Sequence, residues 1–340
     1  MFPRTAVPIV LAPMAGVVTP ALAAAVANAG GIGSLGFAYS TPARIETELR
    51  AARELTAGPL NANFFLFPPV QEPSPAALRL ASAALAPLTP PPATSALPQS
   101  PYCPVLAEQL EAAWPSRPEL MTFHFGIPSR EVFARARSLD IAVGVTATCA
   151  EEARQIAAAG ADFIIVQGCE AGGHCGRFGT ERPDDWLPLR ELLQQIRAVT
   201  ALPLVAAGGL MTGADIRAVL TAGASAAQLG TAFIAADESC ASPAHRRFLL
   251  GEPARGTALT RGFSGRYARG IRNAFIDAMH DAPTLPFPVQ NALTTPLRQA
   301  AVGRDDGEHQ SLWAGTGYAR CRPGRARALV QALAAELAAA

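Results

Sequence analysis

Between residues 8 and 235, short apolar runs rich in β-branched residues alternate with helix-patterned segments. A strand that is apolar at every position has to be covered on both faces, which calls for a parallel sheet with helices packed outside it. The expected strands are 8–11, 32–37, 60–66, 121–124, 141–145, 163–167, 202–209 and 225–231. Such units close into an α/β fold, the TIM (β/α)8 barrel, which typically takes ~250 residues. Helix starts are marked in the same pattern. Thr19-Pro20 and Thr41-Pro42 each offer a capping hydroxyl followed by a proline at the first helical position. Thr148-Cys149-Ala150-Glu151 resembles a capping box. Gly30-Gly31-Ile32-Gly33 follows a helix rather than a strand, so a Rossmann-type reading does not apply.

Two stretches interrupt the alternation. Residues 68–118 are rich in proline, with Pro90-Pro91-Pro92 at the middle, and read as an insertion after strand 3 with short helices at 75–86 and 105–114. Beyond residue 238 the alternation stops. The expected organisation is a barrel over 1–238, a smaller, mostly helical addition over 239–320 that roofs the substrate side, and a C-terminal helix within 321–340 that packs back on the barrel.

Composition narrows the function. The net charge is +1 and only 16% of residues are charged, with no basic stripe, which argues against nucleic acid or a charged membrane surface as partner. No apolar run is long enough for a membrane span, and Met-Phe-Pro-Arg leads directly into a strand without the pattern of a signal peptide. All 28 basic residues are arginine, which removes Schiff-base lysine chemistry. The six cysteines form no CxxC pair, so a reducing, cytoplasmic location is expected. Oligomeric state is left open.

The stretch 164–176 carries the strongest chemical signal. The buried run Ile164-Ile165-Val166 ends in Gln167-Gly168-Cys169-Glu170-Ala171-Gly172-Gly173-His174-Cys175-Gly176. In barrels, reactive groups sit at the carboxyl ends of strands. Glycine lets backbone approach a flat ligand, and histidine can carry or release a proton near neutral pH. His124, after the fourth strand, converges on the same face. Gly208-Gly209 and Gln228-Leu229-Gly230-Thr231 close the last two strands, where backbone amides commonly hold a phosphate. Asn63 and Gln167 either pair with the edge of a ligand ring or satisfy buried backbone groups. Glu170 is either a catalytic carboxylate or the partner of a loop amide. Cys169, His174 and Cys175 lack the further ligand that structural zinc wants, so no metal is expected. Cys175 as a nucleophile lacks an evident base and orienting acid.

These residues resemble the nitronate monooxygenases, formerly 2-nitropropane dioxygenases. Ala12-Pro13-Met14-Ala15-Gly16, Asn63-Phe64-Phe65, Phe123-His124-Phe125-Gly126, the Gly-Gly-His loop and Gln228-Leu229-Gly230-Thr231 match in order. Asn291-Ala292-Leu293-Thr294 and Ser311-Leu312-Trp313-Ala314-Gly315 look like the class I branch. The resemblance implies an FMN-bound TIM barrel with an added substrate domain. It implies flavin positions at Pro13, Met14, Asn63, Gln167, Gly172, Gly209, Gln228, Leu229, Gly230 and Thr231. It makes His174 the catalytic histidine and His124 a second active-site histidine. Three features depart from the pattern: the proline-rich insert at 87–104, Phe287-Pro288 where relatives often show tyrosine and proline, and the absence of lysine. They bear on substrate preference more than on cofactor binding.

The resemblance implies FMN-dependent oxidation of alkyl nitronates by O2 to a carbonyl compound and nitrite, with propionate 3-nitronate as a candidate substrate. His174 would orient the nitronate, or act as base toward a neutral nitroalkane. An NAD(P)H-dependent flavin reductase of the enoyl-ACP or quinone reductase type uses the same barrel and remains the alternative. A non-catalytic protein binding a phosphorylated ligand is a third reading.

Overall fold

The computed structural model describes residues 2–88, 97–251 and 253–340, so the run Pro90-Pro91-Pro92 lies outside the described residues. Eight parallel strands form the expected barrel: β1 (Ile9–Leu11), β2 (Gly33–Gly36), β3 (Leu60–Phe65), β4 (Leu120–His124), β5 (Ala142–Ala147), β6 (Phe163–Gln167), then, after the two-residue strand β7 (Gly173–His174), β8 (Leu204–Ala207) and β9 (Ala226–Leu229). Neighbours pair in sequence order, and β9 pairs with β1. The barrel closes between β1 and β2, where Leu11 N donates to Ile32 O at 2.9 Å and Ile32 N to Ile9 O at 2.9 Å.

Local chemistry accounts for where elements begin and end. Thr19 Oγ1 accepts from Leu22 N and Thr41 Oγ1 from Arg44 N, each with proline in the first turn. The strand expected over 202–209 contracts to Leu204–Ala207 because Gly208 and Gly209 take φ of +132° and +68°, outside any strand conformation. The capping box expected at Thr148 is corrected. Cys149 holds the N-cap position with no side-chain cap, and the carboxylate of Glu152 reaches back to Thr148, accepting from its N at 2.6 Å and its Oγ1 at 2.9 Å.

The proline-rich segment divides between two cores. Leu106–Ala113 packs on Pro42–Leu55 and β3, with Leu110, Ala112 and Ala113 in the barrel core, so it is the outer helix of the third strand–helix unit. Pro75–Leu85 instead places Ala81 and Leu85 in a separate cluster with Phe263, Phe275, Leu293 and Leu297. That cluster belongs to the addition that follows β9. The addition has helices Pro243–Gly251, Ala274–Ala278 and Val289–Gly303, and it also contains a feature the sequence pattern does not mark: the antiparallel pair β10 (Thr257–Thr260) and β11 (Ala268–Ile271). No two-residue turn signal announces this hairpin, because its connection runs over 261–267.

The chain then returns to the barrel. Ala326–Ala339 lies between Pro20–Asn28 and Gly213–Thr221, in the place of the eighth outer helix, with Ala326, Val330 and Leu333 buried. Glu336 Oε2 accepts from Gly213 N at 2.8 Å. Among the described residues no helix is long and apolar enough to cross a membrane.

The close approach at Gly213 leaves no room for a side chain: a Cβ there would stand 2.3 Å from Leu337 N and 2.4 Å from Glu336 Cβ. Gly213→Ala is therefore expected to destabilise the fold by about 1–3 kcal/mol, the usual cost of overpacking, read as a lowered Tm. An unchanged Tm would mean that the last helix yields freely.

Candidate active site

At the carboxyl ends of the strands, beneath the addition, lies a cavity of about 770 Å³. Pro13, Met14, Asn63, His124, Gln167, Gly172, His174, Gly209, Gln228, Gly230 and Thr231 all line it. Leu229 does not: its side chain points into the barrel core, and its carbonyl accepts from Ala12 N at 2.8 Å.

His174 is held from three sides. As part of β7 it pairs with Ala268 of β11, and the next residue continues the ladder, Cys175 N donating to Tyr267 O at 2.9 Å. Its carbonyl oxygen accepts from Gln167 Nε2 at 3.0 Å and from His124 Nε2 at 3.2 Å. Its ring Nε2 lies 2.9 Å from Ser264 Oγ, which in turn lies 3.1 Å from Arg266 O.

His124 differs from a free acid or base. Its Nε2 has only a carbonyl to bond, so it carries the proton, and its Nδ1 accepts from Thr146 Oγ1 at 3.0 Å. Both ring nitrogens are thus engaged, and the ring supports the His174 backbone. Gln167 is also a brace: Oε1 accepts from Gly176 N at 2.7 Å, leaving one N–H and one lone pair for the cavity. Asn63 Nδ2 donates to Thr122 O at 3.2 Å and Oγ1 at 3.0 Å. Glu170 is resolved between its two readings. Its carboxylate accepts from Leu189 N at 3.0 Å and caps the helix Leu189–Arg197.

Aromatic rings enclose His174. The ring centroids of Trp313, Phe65, Phe125 and Phe287 lie 5.5, 5.8, 5.8 and 6.2 Å from that of the imidazole. Phe125 has φ of +77°, a conformation costly for a bulky side chain, and its ring lies 3.9 Å beneath the Arg266 guanidinium. Arg266 Nη2 donates to Arg177 O and to Gly179 O, tying the loop after His174 to the hairpin. Ser264 and Arg266 stand far from His174 in sequence, and no motif points to them; Trp313, equally far, lies in the Ser311-Leu312-Trp313-Ala314-Gly315 motif without a role assigned to it. Phe65 and Phe125 lie inside the quoted motifs, two residues after Asn63 and one after His124, but carried no assigned role.

Another part of the cavity wall is built from bare backbone. Gly208-Gly209 and Gly230-Thr231 leave adjacent strands β8 and β9, and a Cβ at Gly209 would meet Glu170 Cβ at 2.9 Å. Thr231 Oγ1 accepts from Gly315 N at 3.0 Å, which leaves its hydroxyl hydrogen free to donate.

The sequence profile of the nitronate monooxygenases matches residues 4–336 of this chain. A nitronate monooxygenase of Pseudomonas aeruginosa is 42% identical, over 97% of this chain and 96% of its own length. The chain belongs to the nitronate monooxygenase family. A solved nitroalkane oxidase from Streptomyces ansochromogenes superposes with a TM-score of 0.87 at 40% identity, covering 98% of this chain and 96% of that one. FabK from Thermotoga maritima superposes with a TM-score of 0.76 at 22% identity, covering 98% and 94%, which shows a shared fold. Like its family, this chain is an oxidoreductase.

In this nitronate monooxygenase family member, burial governs the charge state of the site. Burial, then the nearby charges of His124, Arg266 and Arg298, push His174 down to about 3 from its ordinary 6.5. Burial takes His124 to about 4, against the opposing pull of its hydrogen bond to His174. His245, at the cavity edge, is pushed down to about 4 by burial. The unfolded chain therefore binds protons at these rings below about pH 6.5, while the folded chain refuses them down to about 3–4. Stability from these groups is full above pH 6.5 and is lost as pH falls toward 4. A Tm series from pH 7.5 to 4 is expected to fall more steeply for the wild type than for His124→Gln. Parallel acid slopes would remove that ring as a source.

Proposed function

We propose that this chain binds FMN in the strand-end cavity and oxidises alkyl nitronates with O2 to a carbonyl compound and nitrite. The observation that carries the reading is a neutral histidine in an aromatic enclosure, sharing one cavity with bare strand-end glycines suited to a phosphate. The cavity volume of about 770 Å³ falls within the range of ligand sites. Six free cysteines suit a reducing, cytoplasmic setting.

The residues present fit the cofactor. Gly209, Gly230 and Thr231 would hold the phosphate through backbone amides and one hydroxyl. Asn63, with its Nδ2 tied to Thr122, would have Oδ1 left to accept from the ligand, and Gln167 would offer its remaining N–H and lone pair. Pro13, Met14, Gly172 and Gln228 would supply close walls. When bound, FMN supplies an electron acceptor that can pass electrons on to O2.

The protein's own part is to bind, orient and exclude water. The Ser264 hydroxyl has two acceptors within reach, Arg266 O and His174 Nε2. When it donates to Arg266 O, His174 carries its proton on Nε2 and presents Nδ1 as a base, suited to a neutral nitroalkane. When it donates to Nε2, the proton sits on Nδ1, which can then donate to the negative oxygens of a nitronate. Ser264 thus fixes which role His174 plays, and His124 with Gln167 holds the residue in place. The aromatic walls keep water from the reacting carbon.

Anaerobic mixing of the FMN-loaded protein with propionate 3-nitronate is expected to change the flavin spectrum, and mixing with NADH to leave it unchanged. Bleaching by NADH with no response to nitronate would move the protein to the reductase reading. His174→Asn is expected to lower kcat/KM about 100-fold or more while FMN content is retained. Ser264→Ala is expected to lower it about 10-fold, the worth of one hydrogen bond to a reacting group. Wild-type kinetics in either variant would remove that residue from the mechanism.

A further inference from the structure

We infer that Arg320 is a positioning residue for the cofactor's phosphate: it holds the carbonyl of Gly209 from outside the cavity and so turns the next backbone N–H, that of Leu210, inward to meet a phosphate monoester. The inference rests on the FMN binding proposed above and names what sets the orientation of the backbone on the phosphate side.

Gly208 and Gly209 have φ of +132° and +68°. With no side chain at either residue, the peptide that joins Gly209 to Leu210 can turn over at little cost. Which way it lies decides what the cavity meets. A trans peptide is planar and carries its C=O and N–H on opposite sides. One orientation presents an N–H, which attracts a phosphate; the reverse presents a carbonyl oxygen, which repels it.

The fold fixes this peptide from behind. Arg320 Nη2 donates to Gly209 O at 3.0 Å, and Arg320 Nη1 lies 2.9 Å from Asp215 Oδ2. Arg320 stands outside the cavity wall that Gly209 and Leu210 help to form. The Leu210 side chain packs in the barrel core, which leaves its backbone for the cavity. Asp215 is itself anchored, since Oδ2 accepts from Met211 N at 2.8 Å and Thr212 N at 3.0 Å and caps the helix Gly213–Thr221. Gly317 keeps the path of the guanidinium clear: a Cβ there would stand 2.9 Å from Gly209 O and 3.1 Å from Arg320 Nη2. The planar fork of arginine suits the place, because it donates to a carboxylate and a carbonyl at once.

A plain surface ion pair is the competing account. The side chains of Arg320 and Asp215 are 48% and 26% exposed, and a pair so open to water contributes little to stability. Pairing with Asp215 also leaves the Nη2 bond to Gly209 without a reason. Arg322 supplies an internal comparison. Its Nη2 donates to Met211 O at 3.3 Å and it pairs with Glu336, but the peptide it touches already gives its N–H to Asp215. No donor is left there for a ligand.

The test titrates the full-length chain, freed of flavin, with FMN and with riboflavin, which has the same ring and ribityl chain without the phosphate. Quenching of flavin fluorescence gives Kd for wild type, Arg320→Met, Arg320→Lys and Arg322→Met. The wild type is expected to bind FMN more tightly than riboflavin. Arg320→Met is expected to raise Kd for FMN about 10- to 100-fold and for riboflavin less than about threefold, with Tm nearly unchanged. Arg320→Lys, which keeps the charge and a donor, should recover part of the FMN affinity, and Arg322→Met should keep the wild-type preference between the two flavins. Equal losses on both flavins with a lowered Tm would make Arg320 a brace of the fold and overturn the inference, as would an unchanged Kd for FMN in Arg320→Met. A wild type that takes up neither flavin would instead defeat the proposed cofactor, and the inference with it.

Discussion

The carbonyl oxygen of His174 is where the site is tied together. It takes one hydrogen bond from Gln167 at the end of β6 and one from His124 at the end of β4, while the same residue pairs with β11 of the addition. A loop with glycine at 172, 173 and 176 has much conformational entropy to lose, and alone it would not hold a ring in one place. Three elements outside the loop fix it, two of them, β4 and β11, remote in sequence. The imidazole's position is then set by rigid strands rather than by the loop, and Ser264 fixes its remaining freedom.

Desolvation acts on everything around that point. The same enclosure that keeps both histidines neutral leaves the Arg266 guanidinium buried. Arg266 answers this by binding backbone carbonyls and lying on the ring of Phe125, a residue held at φ of +77°. Strained backbone at such a place is usual where a side chain has to be delivered to a site against local preference. Here the delivered ring separates a buried charge from a buried histidine.

The barrel was legible because its signals are local. A run such as Phe163-Ile164-Ile165-Val166 is apolar throughout only when covered on both faces, and Gly208-Gly209 marks a strand end through its own backbone freedom. Asn63, Gln167, His124 and His174 were found because they lie on or just after such strands. Their roles were less legible: whether an amide serves a ligand or a brace depends on partners, and Gln167 serves its own loop at both ends of its amide. The hairpin, Ser264 and Arg266 gave no local sign, since they act across about ninety residues of chain, 90 for the Ser264–His174 pair. The helix expected over 105–114 is present as Leu106–Ala113, but the proline around it disguised its place, since only its packing on Pro42–Leu55 and β3 makes it an outer helix of the barrel.

The placement of Ala326–Ala339 as the eighth outer helix changes what the addition is. The chain leaves the barrel after β9, builds the roof, and comes back to complete the barrel it left. Pro75–Leu85, which shares the roof's apolar cluster, likewise departs after β3 and returns at Leu106–Ala113. The roof is therefore a pair of closed excursions anchored at four points. A roof tied down at both ends of each excursion is constrained more than a flap joined to the barrel by one linker. Its packing also requires segments about two hundred residues apart to meet, a long-range pairing of the kind that slows folding.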